Sequence, residues 1–491
     1  MDRSEAEAIY DAGRERCVEF ILELSQALER LTVANARLEQ RVSRLEEELR
    51  KNSSNSSTPP SADPPKSRAE RRAAARERAK QWAKAKGERK PGAQPGHKGS
   101  GRKLLPKDQV DEIVEHYPDA CEGCGHEFSA DEREPSVRCG RHQVADLPPI
   151  AVIYCEHRTH RLLCPCCGKR TTAKLPPGVG DSPFGPGLQA AVVTLTARNR
   201  ISRRDMAELS ADLFGLRMSS GAVDAICQRG AAALDEPHAR LVARVLASPA
   251  VNIDETGWFT AHEERTLWTA ATPQAAIFRI AEDRHRDRLE ELLGEGFAGI
   301  VSSDRWWAYD LIDPQSRQAC WSHLDRDFTY HAGGALREQK QFGLAGIELT
   351  KGLFDSWRAF GEHGDRVRLA REMASIQVKL RALVEHAARK STYTRFHRRF
   401  ANNLLKIWPA LWTFVTVEGV EPTNNAAERA LRGPVIYRKL SHGTQSEDGE
   451  RFIERVLSAS VTCRLQGRSL FAYLRELLTA SARGDPLPTL V

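Results

Sequence analysis

Three acids stand out by their settings. Asp254 lies in the β-branched run Ala250-Val-Asn-Ile-Asp254-Glu-Thr-Gly-Trp258. Asp304 follows the apolar run Phe297 to Ser303 and opens Asp304-Arg-Trp-Trp-Ala-Tyr-Asp310. Glu428 sits in Thr423-Asn-Asn-Ala-Ala-Glu428-Arg-Ala-Leu-Arg432. Acids at the ends of neighbouring strands converge, and three carboxylates can hold two Mg2+ ions, or Mn2+. Such a pair activates a water or a 3′-hydroxyl and stabilises the leaving oxygen of a phosphodiester. Any one of these acids by itself reads equally as a helix cap or a solvated loop charge. Glu255 and Asp310 are rival ligands, although Glu255 points to the opposite face if the strand continues.

A second chemistry is written in cysteine. The chain has 11 cysteines, an odd count, and seven fall between Cys121 and Cys167. That crowding, without a secretion signal, points to metal ahead of a disulfide framework. Cys121-Glu-Gly-Cys124-Gly and Cys164-Pro-Cys166-Cys167-Gly are two knuckles, each followed by a glycine that lets backbone N–H groups turn towards sulfur. Cys121, Cys124, Cys164 and Cys167 then close a structural Zn2+ site, with Cys166 an alternative to Cys167. Cys139, Cys155, His157 and His160 are spare donors. The 39 residues between the pairs imply a zinc ribbon with an inserted hairpin. The alternative is a core of reduced, buried cysteines.

The acids need a scaffold. Thr266 to Thr272 and Ala275 to Ile280 read as two strands following the Asp254 strand, and Phe297 to Ser303 as a further one. Glu428 falls on a short helix stopped by Gly433-Pro434. Asp205 to Phe214, a turn at Gly215 to Met218, and a second helix capped by Ser219/Ser220 and running to Gln228 form a helix-turn-helix candidate. The second helix offers only Arg229 to phosphates, so a packed spacer is an equal reading.

At 491 residues the chain has room for about three domains, and 41% apolar residues can build a sizeable core. No apolar run reaches the ~18 residues of a membrane span, and the polar N-terminus lacks a signal-peptide core. These features predict a cytoplasmic, nucleoid-associated protein and exclude a membrane partner. Charge is uneven: residues 1–50 carry 8 Lys/Arg and 12 Asp/Glu, and residues 51–107 carry 16 and 4. The remainder is nearly balanced, so the excess positive charge forms one polyanion-binding arm. Within it Arg71, Arg72, Lys90, His97 and Lys98 are the candidate DNA contacts.

Before the arm, Cys17, Ile21, Leu24, Leu28, Leu31, Asn35, Leu38, Val42, Leu45 and Leu49 alternate at 4-3 spacing. Leucines at d and one Asn at a predict a parallel two-stranded coil, hence a homodimer. The alternative is a helix packed on the chain's own body.

The order and wording of these motifs resemble the IS66-type transposases of the DDE group. KPGAQPGHKG, the two CxxC knuckles, IDETGW, VSSDRWWAYD, CWSHLDRDF and TNNAAERALR match in order over about residues 20 to 465. The resemblance implies a ribonuclease-H-like core with Asp254, Asp304 and Glu428 as the metal-binding triad. It also implies a helical insertion between the second and third acids, and action on the element's own terminal inverted repeats and on target DNA, with accessory transposition proteins as further partners. Arg429 and Arg432 would then flank the metals and contact phosphate, unless Arg432 simply pairs with Glu428 along the helix. His323, in Cys320-Trp-Ser-His323, serves proton transfer or a structural hydrogen bond. The following Asp325-Arg326-Asp327 is more acidic than the family's run, which argues against direct DNA contact there.

The expected organisation is multidomain. A coiled coil (1–50) and a disordered basic arm (51–107) precede a zinc ribbon-like β module (108–180) and a helical, helix-turn-helix-like segment (181–247). An α/β catalytic core (248–332 and 400–445) carries a helical insertion (333–399), and a helical segment (446–491) ends the chain. The expected function is Mg2+-dependent DNA cleavage and strand transfer. A zinc-containing DNA-binding regulator without catalysis and a ribonuclease-H-like nuclease are the rivals.

Overall fold

The computed structural model describes residues 10–15, 17–18, 103–133, 140–148, 150–179, 182–334, 336–389 and 395–490. The predicted coil beyond Val18 lies outside these, as do the arm residues Arg71, Arg72, Lys90, His97 and Lys98, and Cys139. The chain divides into two compact units, residues 65–153 and residues 1–64 with 154–491.

In the smaller unit, Gln143 clamps the backbone of Leu105 from both sides: its Oε1 accepts from Leu105 N–H at 2.8 Å and its Nε2 donates to Leu105 O at 3.0 Å. In the larger unit a short hairpin, β1 (Arg161–Leu163) and β2 (Arg170–Thr172), precedes four helices: α1 (Pro186–Ala197), α2 (Arg203–Phe214), α3 (Ser220–Ala233) and α4 (Asp235–Leu246).

Next comes a five-stranded sheet. β3 (Ala250–Thr260), β4 (Glu263–Ala271) and β5 (Ala276–Ala281) form an antiparallel meander. After α5 (Arg286–Leu293), β6 (Ile300–Ser303) adds parallel to β3, and β7 (Arg317–Ala319) adds parallel to β6. The order across the sheet is β5-β4-β3-β6-β7. Leu267, Trp268, Thr269, Ala270 and Ala271 are buried without alternation, as a strand covered on both faces requires.

Two apolar clusters hold this unit. One joins the sheet to α1–α4 and to α12 (Glu447–Leu465) and α13 (Leu470–Arg483). The other is built by α6 (Trp321–Ala332), α7 (Arg337–His363), α8 (Arg366–Arg389), α9 (Arg395–Lys406) and the short α10 (Thr413–Thr416). Gly346 lets α7 close on α6, because a Cβ there would enter the Phe328 ring. Along α12, Glu454, Ser458 and Thr462 recur every fourth residue. They accept the Ile280, Phe278 and Ala276 N–H groups at 2.7, 3.0 and 3.1 Å, so a helix satisfies the open edge of β5.

The helix-turn-helix candidate is a packed helical pair. Ser202 and Ser219 cap α2 and α3, and Gly215 ends α2 at φ 63°. Val223, Ile226, Cys227 and Ala231 on α3 are buried in the sheet-helix cluster, and Arg229 donates to Gln189 Oε1 at 3.2 Å.

Two local expectations are corrected. The Asp254 strand does not end at the acid but runs on to Thr260. It turns at Ala261-His262, both at positive φ (51° and 71°). Two-residue hairpins need that conformation and usually recruit Asn or Gly for it. Here Thr444 holds the turn by accepting Ala261 N–H at 2.9 Å. Nor do Gly433-Pro434 stop the Glu428 helix: α11 runs from Asn425 to Ser441 with Pro434 buried inside it. Packing outweighs the one bond that proline forfeits. Beyond it Tyr437 stacks on Trp258 (6.3 Å, 17°) and Arg438 bonds Thr256 Oγ1 and Gly257 O.

Candidate active site

Register brings the first two acids together. β3 and β6 pair in parallel as Ala250–Ile300, Val251–Val301 and Asn252–Ser302. Two residues further along each chain come Asp254 and Asp304. They therefore leave the C-terminal end of the parallel pair side by side, at the spacing of neighbouring strands, about 4.8 Å.

The third acid arrives by a different route. Asn424, just before α11, donates its Nδ2 to Ile253 O at 2.7 Å and its backbone N–H to Cys320 Sγ at 3.2 Å. One residue, through its side chain and its backbone N–H, thus pins the start of α11 to β3 beside Asp254 and to the junction of β7 with α6. Glu428 follows in the first turn.

The surrounding groups fix the loop that carries Asp304. Its Oδ1 accepts Trp306 N–H at 2.8 Å. Buried Arg317 donates to Asp304 O (2.6 Å), Tyr309 O (3.1 Å) and Ser303 Oγ (3.2 Å). The rival acids are engaged elsewhere. Glu255 is held by Arg284 (2.9 Å) and by the Tyr309 hydroxyl (2.7 Å), and Asp310 by Lys406 (2.9 Å) and Arg317 (3.5 Å).

Charge is crowded at this corner. Burial pushes the Asp254 carboxyl well above the usual carboxylate range, and the charges of Glu255, Asp304 and Glu428 push it further. Glu255 rises to about 7, through burial and Asp304, with Arg284 and Tyr309 partly restraining it.

Glu428 does not turn along its helix to Arg432. Its Oε1 lies 3.8 Å from His323 Nδ1 and 3.6 Å from Arg326 Nη2. Both Glu428 Oε1 and His323 Nδ1 are buried with no hydrogen-bond partner. Cys320, at the N-cap of α6, and His323 on its first turn complete a cluster whose ligand atoms lie within 4.8 Å of one another. The Cys/His motif therefore spans a strand-to-helix junction. Burial raises the Cys320 thiol to about 11 and lowers the His323 imidazole, so both are neutral without an ion.

The residues present fit a divalent cation. Asp254 and Asp304 leave neighbouring strands at matched register, and the charges of Asp304 and Glu428 raise Asp254, a repulsion that a bound cation would relieve. Sequence reasoning named the acids but not the groups around them. Arg284, Tyr309 and Arg317 carry no motif of their own, and the pinning role of Asn424 is visible only once β3 and α11 meet.

Each cysteine knuckle is locally formed. Cys121 N–H donates to His126 O (2.8 Å) and Gly125 N–H to Cys121 O (2.8 Å), with Gly125 at φ 76°. Cys164 repeats the pattern with Lys169 O (2.9 Å), and Gly168, at φ 63°, donates to Cys164 O (2.9 Å). Backbone N–H groups of Gly123 and Cys124 lower the Cys121 thiol, and those of Cys167 and Cys166 lower Cys164. Such turns favour thiolate and suit a soft metal.

Residues 181–451 match the model of the Transposase IS66 family, and residues 15–103 match a family of unknown function, DUF6444. Two curated proteins of Sinorhizobium fredii (strain NBRC 101917 / NGR234) are similar to the chain. The uncharacterized protein y4qI is 29% identical over 241 residues, covering 47% of this chain and 44% of that protein. The uncharacterized protein y4hP is 23% identical over 254 residues, covering 46% and 44%. The alignments thus span less than half the length of either relative.

Proposed function

The chain belongs to the IS66 transposase family, and from that membership we propose that it cuts and joins DNA in one active site built by Asp254, Asp304 and Glu428. The observation that carries this reading is the placement of two acids at matched register on parallel strands, with the third delivered by α11. The strand order, an antiparallel meander continued by two parallel strands, supports a ribonuclease-H-like core. Helices α7–α9 lie between the second and third acids, where the helical insertion is expected.

Asp254, Asp304 and Glu428 would hold Mg2+ or Mn2+, which when bound activates the attacking oxygen and steadies the leaving oxygen of a phosphodiester. The protein's own residues do the positioning. Arg317 and Trp306 fix the Asp304 loop, Asn424 fixes Glu428 against β3, and Tyr309 with Arg284 keeps Glu255 out of the ligand set. Hydrolysis first exposes a 3′-hydroxyl at an end of the element, and that hydroxyl then attacks target DNA. Both steps are in-line displacements without a covalent enzyme intermediate. The N-terminal coil pairs two subunits so that two ends are handled together, and the basic arm, through Arg71, Arg72, Lys90, His97 and Lys98, supplies salt-dependent affinity for DNA. Arg429 and Arg432 contact phosphate near the acids. One structural Zn2+ with Cys121, Cys124, Cys164 and Cys167 as its four ligands completes the proposal.

The test is to incubate the full chain with its own flanking DNA ends and a target plasmid in Mg2+, beside Asp254→Asn. Joined products from the wild type only are expected. Nicks without joining indicate a nuclease, and binding with neither indicates the regulator.

A further inference from the structure

The corner behind Glu428 has donors of a kind that Mg2+ does not seek. Cys320 contributes sulfur, His323 an imidazole and Glu428 a carboxylate, and their ligand atoms lie within 4.8 Å of one another. A tetrahedral ion with bonds of ~2.0–2.3 Å closes that spread by side-chain shifts of about 1 Å. His323 is only 8% exposed, and its Nδ1 is unpartnered. Glu428 Oε1, facing it at 3.8 Å, is also unpartnered. Unsatisfied polar atoms inside a protein are costly, so two of them facing each other mark a place for a third participant. Cys320 Sγ already accepts the Asn424 N–H, as metal-bound sulfur commonly does.

We propose that Cys320, His323 and Glu428 form a site for a thiophilic divalent cation, Zn2+ in the first instance, beside the Mg2+ site of the acids and sharing Glu428 with it. Sulfur and imidazole donors select zinc over magnesium, and a three-residue set leaves a fourth position open. The ion ties the β7–α6 junction to the first turn of α11, and so fixes where Glu428 stands. The binding claim stands on these donors; the role given to it, holding Glu428 for catalysis, rests on the transposase reading.

Arg326 sets the terms of entry. Its Nη2 lies 3.1 Å from His323 Nε2 and 3.6 Å from Glu428 Oε1, so a guanidinium serves the two groups when no ion is bound. Donation by arginine requires the Nε2 lone pair and leaves the imidazole proton on Nδ1. Ligation through Nδ1 moves that proton to Nε2, releases the Cys320 thiol proton and displaces Arg326, whose side chain is 28% exposed and can turn to solvent. Arg326 and zinc are therefore competitors.

The experiment uses the full chain and Zn2+ as the probe, with bound zinc counted after removal of the weakly held metal. Cys320→Ser and His323→Asn, checked for unchanged melting, are expected to hold one zinc fewer per chain than the wild type. Arg326→Gln is expected to bind that ion about tenfold more tightly, since it removes a like charge at close range. Asp254→Asn should keep the zinc, so loss of DNA joining and loss of this site are read separately. Equal zinc in the wild type, Cys320→Ser and His323→Asn overturns the proposal, as does unchanged or weaker binding by Arg326→Gln. If the Cys320 variant does not fold, 113Cd resonance of the unaltered chain decides. A signal from mixed sulfur, nitrogen and oxygen ligation, apart from thiolate-rich signals, supports the site; thiolate-rich signals only overturn it.

Discussion

Glu454 and Asp254 are both acids buried against the same sheet, and burial raises both, yet they do opposite things. Glu454, behind the edge strand β5, rises to about 7. Its Oε1 accepts the Ile280 N–H, and Ser458 and Thr462 continue the ladder along the same helix face. Asp254, where the parallel strands end, is raised by burial and also by Glu255, Asp304 and Glu428. Behind it Glu428 Oε1 and His323 Nδ1 have no partner. A raised carboxyl therefore does not identify a functional site. Several like charges beside unpartnered polar atoms are the stronger sign, because a bound cation would relieve both.

The comparison breaks most sharply at Asp304. Asp304→Asn is expected to lower DNA cleavage and joining about a thousandfold or more, some 4 kcal/mol of transition-state stabilisation. The metal-free variant should resist urea at least as well as the wild type, because repulsion at the corner falls. A variant that joins DNA normally, or that unfolds more easily, contradicts the account.

Glu454→Gln should do the reverse. The folded value of about 7 lies above the ordinary 4.5. Below pH 4.5 both states are protonated. Between about pH 4.5 and 7 the unfolded chain ionises while the folded one keeps its proton, so wild-type stability falls as pH rises, by about 3 kcal/mol in total. Glutamine retains the acceptor for Ile280 without the charge. The variant should match the wild type near pH 4 and exceed it by up to about 3 kcal/mol at pH 8, with DNA joining intact; urea midpoints across pH check this.

Smaller effects sharpen the contrast. Tyr309→Phe frees Glu255, a rival to the three acids, from one of its two partners and should reduce joining about tenfold, the low end of what disturbing the surroundings of a metal site costs. Ser458→Ala leaves Phe278 N–H buried without an acceptor. It should cost about 1–2 kcal/mol of stability and no activity, read from paired melts and joining assays.

Legibility in the sequence followed the range of the interactions. Asp254, Asp304 and Glu428 could be named from the sequence because each lies in a recognisable local run. The cap at Ser219 and the turn at Gly215 were readable for the same reason, whereas the start of α2 at its Ser202 cap was not. The turn at Ala261-His262 was not, since neither residue is a turn former and its support, Thr444, lies far along the chain. The passage of α11 through Gly433-Pro434 was hidden likewise, because Tyr437 and Arg438 find their partners on β3. The role of Asn424 was hidden too, because its two bonds depend on Ile253 and Cys320 being brought together by the fold.

The most direct test of the central claim, that the three acids act as one cation site, is Mn2+-dependent melting of the full chain and of Asp254→Asn, Asp304→Asn and Glu428→Gln. Manganese prefers carboxylate to thiolate, so the cysteine sites contribute little. The account predicts that the wild type gains about 2.7 kcal/mol at a hundred times the Kd, and that each variant loses most of that gain. A gain retained by all three variants would contradict it.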